Sequence, residues 1–175
     1  MTIQKKSIIE DLLLLYPKSF YDFRGEYFQT YNKNEYNFID SNGNLIDFKE
    51  DDISVSVKNV LRGLHGDKKT WKLVQCLYGE IYFVVVDYRE SSSTYSYCET
   101  FTLSSKNRMQ ILIPPECVNG TLCLSNESIF SYKQSEIYSG SENQFSIRWN
   151  DPKLNIKWPS SNPILSLRDA EAKLL

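Results

Sequence analysis

At 175 residues the chain has room for one domain with a real core, spanning 1–175, and no shift in composition marks an internal boundary. The 20 Lys and Arg against 22 Asp and Glu leave a formal net charge of -2, so no global field draws nucleic acid or an anionic membrane; an anionic ligand must be held by local cations. One histidine and four cysteines without a CxxC pair offer too few ligands for a zinc site, so no metal or other cofactor is expected, and Cys76, Cys98, Cys117 and Cys123 read as reduced thiols of a cytoplasmic protein.

The elements follow in chain order. Lys5 and Lys6 precede a Leu12 to Leu15 run, but Glu10 and Asp11 interrupt an apolar stretch too short for a signal core or a membrane span. A helical turn is expected over 33–38. Ile53, Val55 and Val57 alternate with Ser54, Ser56 and Lys58, which predicts a half-buried strand with its apolar side inward, leading into Val60-Leu61-Arg62-Gly63-Leu64-His65. Residues 73–78 and 81–87 read as two strands joined at Gly79-Glu80 by a hairpin turn whose first position needs positive φ, with Val84, Val85 and Val86 covered on both faces. After the Ser91-Ser92-Ser93 break, short strand-like runs recur at 95–103, 109–113, 121–124, 129–133 and 145–149. Only 167–175 carries convincing helix formers. Twelve Tyr and nine Phe add to the β signal. Short strands between turn signals predict an all-β sandwich or jelly-roll barrel. Two glycosylation acceptor patterns, at Asn119 and Asn126, are discounted because that chemistry requires a secretory route.

Three side chains stand out as chemistry. His65, beside Arg62 at the end of an alternating strand, would be a titratable base on the interior face of a barrel, or else a hydrogen-bonded core histidine. Lys72 heads an otherwise apolar strand and could point its ammonium into a cavity, or could be a solvated strand end. Tyr132 shares a strand face with Phe130, and a phenol among apolar neighbours needs a partner for its hydroxyl.

Taken in order, several blocks carry a resemblance. They are Asp22-Phe23-Arg24-Gly25, the RGLH run ending at His65, Lys72-Leu73-Val74, Gly79, Val86-Asp87-Tyr88-Arg89, Pro114-Pro115, Tyr132-Lys133, Trp149-Asn150-Asp151-Pro152, Ile156-Lys157-Trp158-Pro159 and Leu165-Ser166-Leu167-Arg168-Asp169. Together they resemble the dTDP-4-dehydrorhamnose 3,5-epimerase family of metal-independent nucleotide-sugar epimerases. The resemblance implies a cupin-type jelly roll with a short C-terminal helix, no cofactor, and a homodimer with exchanged N-terminal strands. It implies that His65 is the base, Asp169 its orienter, Tyr132 the opposing acid and Lys72 the donor to the enolate oxygen. It assigns Arg24, donated by the partner subunit, and Arg62 to the diphosphate, and Tyr138 and Trp158 to the sugar or nucleobase.

The chain departs from the family pattern at four places. Gly66-Asp67 follows the histidine where the family usually has Tyr-Gln, Asn119 stands where the family has histidine, Gln29 stands for a glutamate, and Asp52 stands for an asparagine. Gln29, Asp52 and Asn119 therefore count as candidate substrate-binding residues with altered chemistry. The run from His65 to Val74 is similar to the branch acting on GDP-linked 4-keto-heptoses for capsular polysaccharide, and that substrate is the leaning here. The alternatives are a dTDP-4-keto-6-deoxyglucose 3,5-epimerase, a sugar 3,4-ketoisomerase and a non-catalytic sugar-binding jelly roll.

Overall fold

The structure is a computed structural model that describes residues 3–175. In chain order its strands are β1 (Ile3–Lys6), β2 (Leu13–Tyr16), β3 (Ser19–Asp22), β4 (Gly25–Phe28), β5 (Glu50–Val57), β6 (Leu61–Gly66) and β7 (Lys72–Tyr78). They continue as β8 (Glu80–Asp87), β9 (Cys98–Ser104), β10 (Gln110–Ile113), β11 (Cys117–Cys123), β12 (Glu127–Gln134) and β13 (Phe145–Ser146), followed by the helix α1 (Leu167–Ala170).

Two antiparallel sheets form the body. One runs β1-β2-β10-β7-β12-β5 and the other β13-β6-β11-β8-β9, while β3 and β4 pair only with each other. The main core lies between the sheets, where Val74, Ile111, Ile113 and Phe130 of the first meet Phe83, Val85, Leu103 and Cys117 of the second. This is the jelly roll the residue pattern and the resemblance predicted.

Each sheet is also covered from outside. Tyr36, Phe38 and Ile46 pack on Leu15, Leu73 and Leu112 of the first sheet. Ile147, Leu154 and Trp158 pack on Leu64, Val84, Val86 and Val118 of the second. Val84, Val85 and Val86 are therefore fully buried on both faces, as expected. Where a helical turn was expected over 33–38, the chain makes one turn over 33–35, with Tyr36 N donating to Asn32 O at 2.9 Å. All four cysteines are free, and burial pushes the Cys117 thiol up to about 12 and those of Cys76 and Cys98 to about 11. Among the described residues no helix is long and apolar enough to cross a membrane.

Three expectations are corrected. Gly79 has the predicted positive φ of 74°, but β7 and β8 do not form a hairpin: β7 pairs with β10 and β12, and β8 with β11 and β9. The turn carries the chain from one sheet to the other, and a Cβ at 79 would lie 2.2 Å from Glu127 O. The strand β5 is inverted relative to expectation. Ile53, Val55 and Val57 are 62%, 53% and 57% exposed, because the inner face of this edge strand, Glu50, Asp52 and Ser54, lines a cavity that admits polar groups. The C-terminal helix is one turn, capped by the Ser166 side chain accepting from Asp169 N, with Glu171 as its C-cap.

Candidate active site

Between the sheets, beside the apolar core, lies a cavity of about 630 Å³, within the range that holds small-molecule ligands. His65 enters it from β6, whose close approach to β11 depends on glycine: Gly63 has φ of 125°, and a Cβ there would fall 2.6 Å from Gly120 Cα and 2.7 Å from Asn119 O. Packing at that distance tolerates only a hydrogen.

Nε2 of His65 lies 2.6 Å from Oδ1 of Asp169. Asp169 is 2% exposed. Its burial alone would raise the carboxyl pKa, but the His65 hydrogen bond and charge, Ser166 and the Gly63 N–H hold it below the ordinary value. A carboxylate so placed fixes the imidazole orientation, leaves the other ring nitrogen as the proton acceptor, and favours the imidazolium that forms when it takes a proton.

Lys72 opens β7 and is 8% exposed, with its ammonium at the cavity. Burial lowers its pKa against the pull of Asp67, and the nearby Arg168 lowers it further. Nζ donates to Oδ1 of Asn119 at 3.4 Å, and Asn119 lies opposite His65 in the β11–β6 register, beside an irregularity between Asn119 and Thr121. Such a break re-aims side chains near sites.

Tyr132 projects from β12, its ring 5.5 Å from that of Phe130. Burial raises its phenol pKa, the charge of Asp52 adds to this, and Arg62 opposes it. Tyr132 and Lys72 thus belong to one sheet, and His65 and Asn119 to the other. The imidazole and the phenol therefore reach the cavity from opposite sheets.

Of the other candidates, Asp52, Arg62 and Tyr138 line the cavity. Arg62 is braced by Ser56 Oγ at 3.0 Å and Val55 O at 3.2 Å. Arg24 and Gln29 lie outside the cavity: Arg24 is exposed at the tip of the β3–β4 hairpin, paired with Asp22 at 2.6 Å, and Gln29 follows β4 at the surface. Trp158 also lies outside the cavity: its ring packs 5.7 Å from Tyr82 on the outer face of the second sheet, with Nε1 donating to Trp149 O at 2.7 Å.

Residues that sequence reasoning did not single out also line the cavity. Arg168 is held there by Ser146 Oγ at 2.8 Å and Gln144 Oε1 at 3.1 Å. Glu50 and Gln134 complete the wall around Asp52. Their signal was period two: Phe130, Tyr132 and Gln134 share one strand face, as do Glu50, Asp52 and Ser54. Among the described residues no three of His, Cys, Asp or Glu are grouped to hold a metal ion.

The family model described as dTDP-4-dehydrorhamnose 3,5-epimerase matches residues 6–175. The chain belongs to that family. A dTDP-4-dehydrorhamnose 3,5-epimerase of Salmonella typhimurium strain LT2 is 42% identical over 179 residues, covering 100% of this chain and 96% of its own. The Bacillus anthracis enzyme, solved with TDP and PPi bound, is 34% identical with a TM-score of 0.92, covering 100% of each chain. The Legionella pneumophila dTDP-6-deoxy-D-glucose-3,5-epimerase, solved with dTDP-4-keto-L-rhamnose, is 35% identical with a TM-score of 0.91, covering 99% of this chain and 93% of its own. The leaning toward a GDP-heptose substrate gains no support from these matches, whose names specify dTDP sugars.

Proposed function

We propose that this chain inverts carbons 3 and 5 of a dTDP-linked 4-keto-6-deoxy sugar. The carrying observation is the placement of His65, with Asp169 beside it, and of Tyr132 on opposite sheets around one cavity. A 4-ketone acidifies the hydrogens on both neighbouring carbons, and His65 takes one from one face of the ring. The charge moves to the ketone oxygen, where the Lys72 ammonium is the donor; one such donor typically lowers the barrier by about 3 kcal/mol. Tyr132 returns a proton to the opposite face, which inverts the carbon, and the same groups serve the second carbon. Arg62 and Arg168 are the cavity cations suited to the diphosphate, with Tyr138 at the nucleoside end.

The working unit in this reading is a homodimer in the cytoplasm, where the four thiols stay reduced. Ile53, Val55 and Val57 form an apolar strip on an edge strand, and Phe20, Tyr21, Phe23 and Tyr27 are exposed on the β3–β4 hairpin. Such surfaces call for a partner, and a second copy would bring its Arg24 to the first copy's diphosphate.

Incubation with dTDP-4-keto-6-deoxyglucose in deuterated water tests the function. Deuterium and inverted configuration at carbons 3 and 5 are expected; no exchange at either carbon refutes it.

A further inference from the structure

The wall beside Tyr132 carries two carboxyl groups bound to one amide. β12 and β5 pair so that Tyr132 lies opposite Asp52 and Gln134 opposite Glu50, which places the Cβ atoms of each pair about 5 Å apart on one face. All four side chains line the cavity. The buried Gln134 spends both amide hydrogens here: Nε2 donates to Glu50 Oε1 at 3.0 Å and to Asp52 Oδ2 at 3.0 Å. The backbone N–H of Tyr138 donates to Glu50 Oε2 at 2.9 Å. Two carboxylates drawn together on one donor repel, and one proton shared between them relieves the repulsion. Burial, with the hydrogen bond and charge of Glu50, raises the Asp52 carboxyl from its ordinary value despite Gln134.

A double inversion makes a demand that a single one does not. Tyr132 must deliver a proton twice while the sugar occupies the cavity, and after the first delivery it is a phenolate. Resting on the function proposed above, we infer that Glu50 and Asp52 hold a shared proton that recharges Tyr132 between the two inversions. In the first inversion the Tyr132 O–H bond breaks and a C–H bond forms on the sugar. The shared proton then leaves the carboxyl pair, directly or through one water, and an O–H bond re-forms on Tyr132. The pair is left with both carboxylates ionised and regains its proton from solvent at the cavity mouth, where His65 also releases the proton it took. Phenols are far weaker acids than carboxyls, so the transfer to the phenolate runs downhill.

The charged and titratable groups around this phenol are Asp52 and Glu50 from β5, Arg62 and His65 from β6, Lys72 from β7, Tyr138 after β12, and Arg168 and Asp169 from α1. Arg62 steadies the phenolate for the time it exists. Of this set, Asp52 is the group opposite Tyr132 in the β12–β5 register, and Glu50 joins it through the shared Gln134 amide.

The test is a single-turnover experiment with dTDP-4-keto-6-deoxyglucose, in which singly and doubly inverted sugars are separated by NMR after quenching between pH 6 and 9. In the Glu50→Gln, Asp52→Asn double variant the ratio of the second to the first inversion rate should fall at least about tenfold, with the singly inverted sugar accumulating. In the parent this ratio should fall as pH rises and the Asp52 carboxyl, raised by burial, gives up its proton; in the variant it should be flat. Asp52→Asn alone leaves Glu50 a carboxyl and should fall between the two. An unchanged ratio in the double variant overturns the inference, including the case where both rates drop together because the pair merely shapes the cavity. A parent that inverts neither carbon would instead overturn the function on which the inference rests.

Discussion

The space between the two sheets is filled in two ways. In one half, Ile9, Leu12, Phe83, Leu103, Met109 and Ile113 pack into one apolar cluster. In the other, His65, Lys72, Asn119, Tyr132 and Asp169 surround an open cavity. The aromatic series Phe83, Phe130 and Tyr132 joins the halves, with ring centroids 5.7 Å and 5.5 Å apart. The closed half asks only for apolar volume and dense packing. The open half retains a nearly buried ammonium and a buried carboxylate at a cost in desolvation, which is the pattern expected where groups are kept for chemistry rather than for stability. The halves should therefore fail differently when altered.

The largest effect is expected from His65→Asn, which should lower solvent deuterium exchange at both carbons by about a thousandfold while leaving the thermal midpoint close to the parent's. Exchange near the parental rate would place the base elsewhere. Tyr132→Phe should separate deprotonation from inversion: exchange persists, inversion falls by at least about a hundredfold, and recovered substrate carries deuterium with retained configuration. Inversion near the parental rate would remove Tyr132 from the mechanism.

Phe83→Ala, in the closed half, should cost about 3–5 kcal/mol in a denaturant titration, with kcat per folded molecule within about twofold of the parent. A large loss of kcat in fully folded protein would show that the halves are not separable.

The smallest effect is a pH dependence set outside both halves. Burial alone would raise the Asp87 carboxyl, but Arg89, Ser92 and Thr94 bring it down from 3.8 to about 2. A carboxyl depressed in the folded state stabilises at pH values above its unfolded pKa, and that contribution fades as pH falls from about 4 toward 2. Asp87→Asn should flatten stability across that window without altering the pH–rate profile near neutrality; an unchanged acid limb would contradict the assignment.

Much of this was legible in the residues. Alternation located β5, a short strand-like run marked β12, the three consecutive valines of β8 called for cover on both faces, and Gly79 marked a reversal. The RGLH run and the Ser166 to Asp169 block carried the family resemblance, and with it the four residues proposed for the chemistry. Period two, however, states that two faces differ and not which one is inside. Ile53, Val55 and Val57 point outward because β5 is a sheet edge with a polar cavity at its back, a fact of sheet order. The reversal at Gly79 likewise crosses between sheets because β7 and β8 find better-placed partners elsewhere in the chain.

Residue types and spacing by themselves determined an all-β fold and marked His65, Lys72 and Tyr132 as candidates for chemistry, while the roles proposed for them came with the family resemblance. Only the tertiary structure decided which of them meet. His65 and Asp169 are 104 positions apart, Lys72 and Asn119 are 47 apart, and Gln134 reaches Asp52 across 82. Trp158, equally prominent in the chain, was turned to the outer face of the second sheet. Contacts at such separations are set by strand register and by the stacking of two sheets, which follow from burying the whole apolar surface at once.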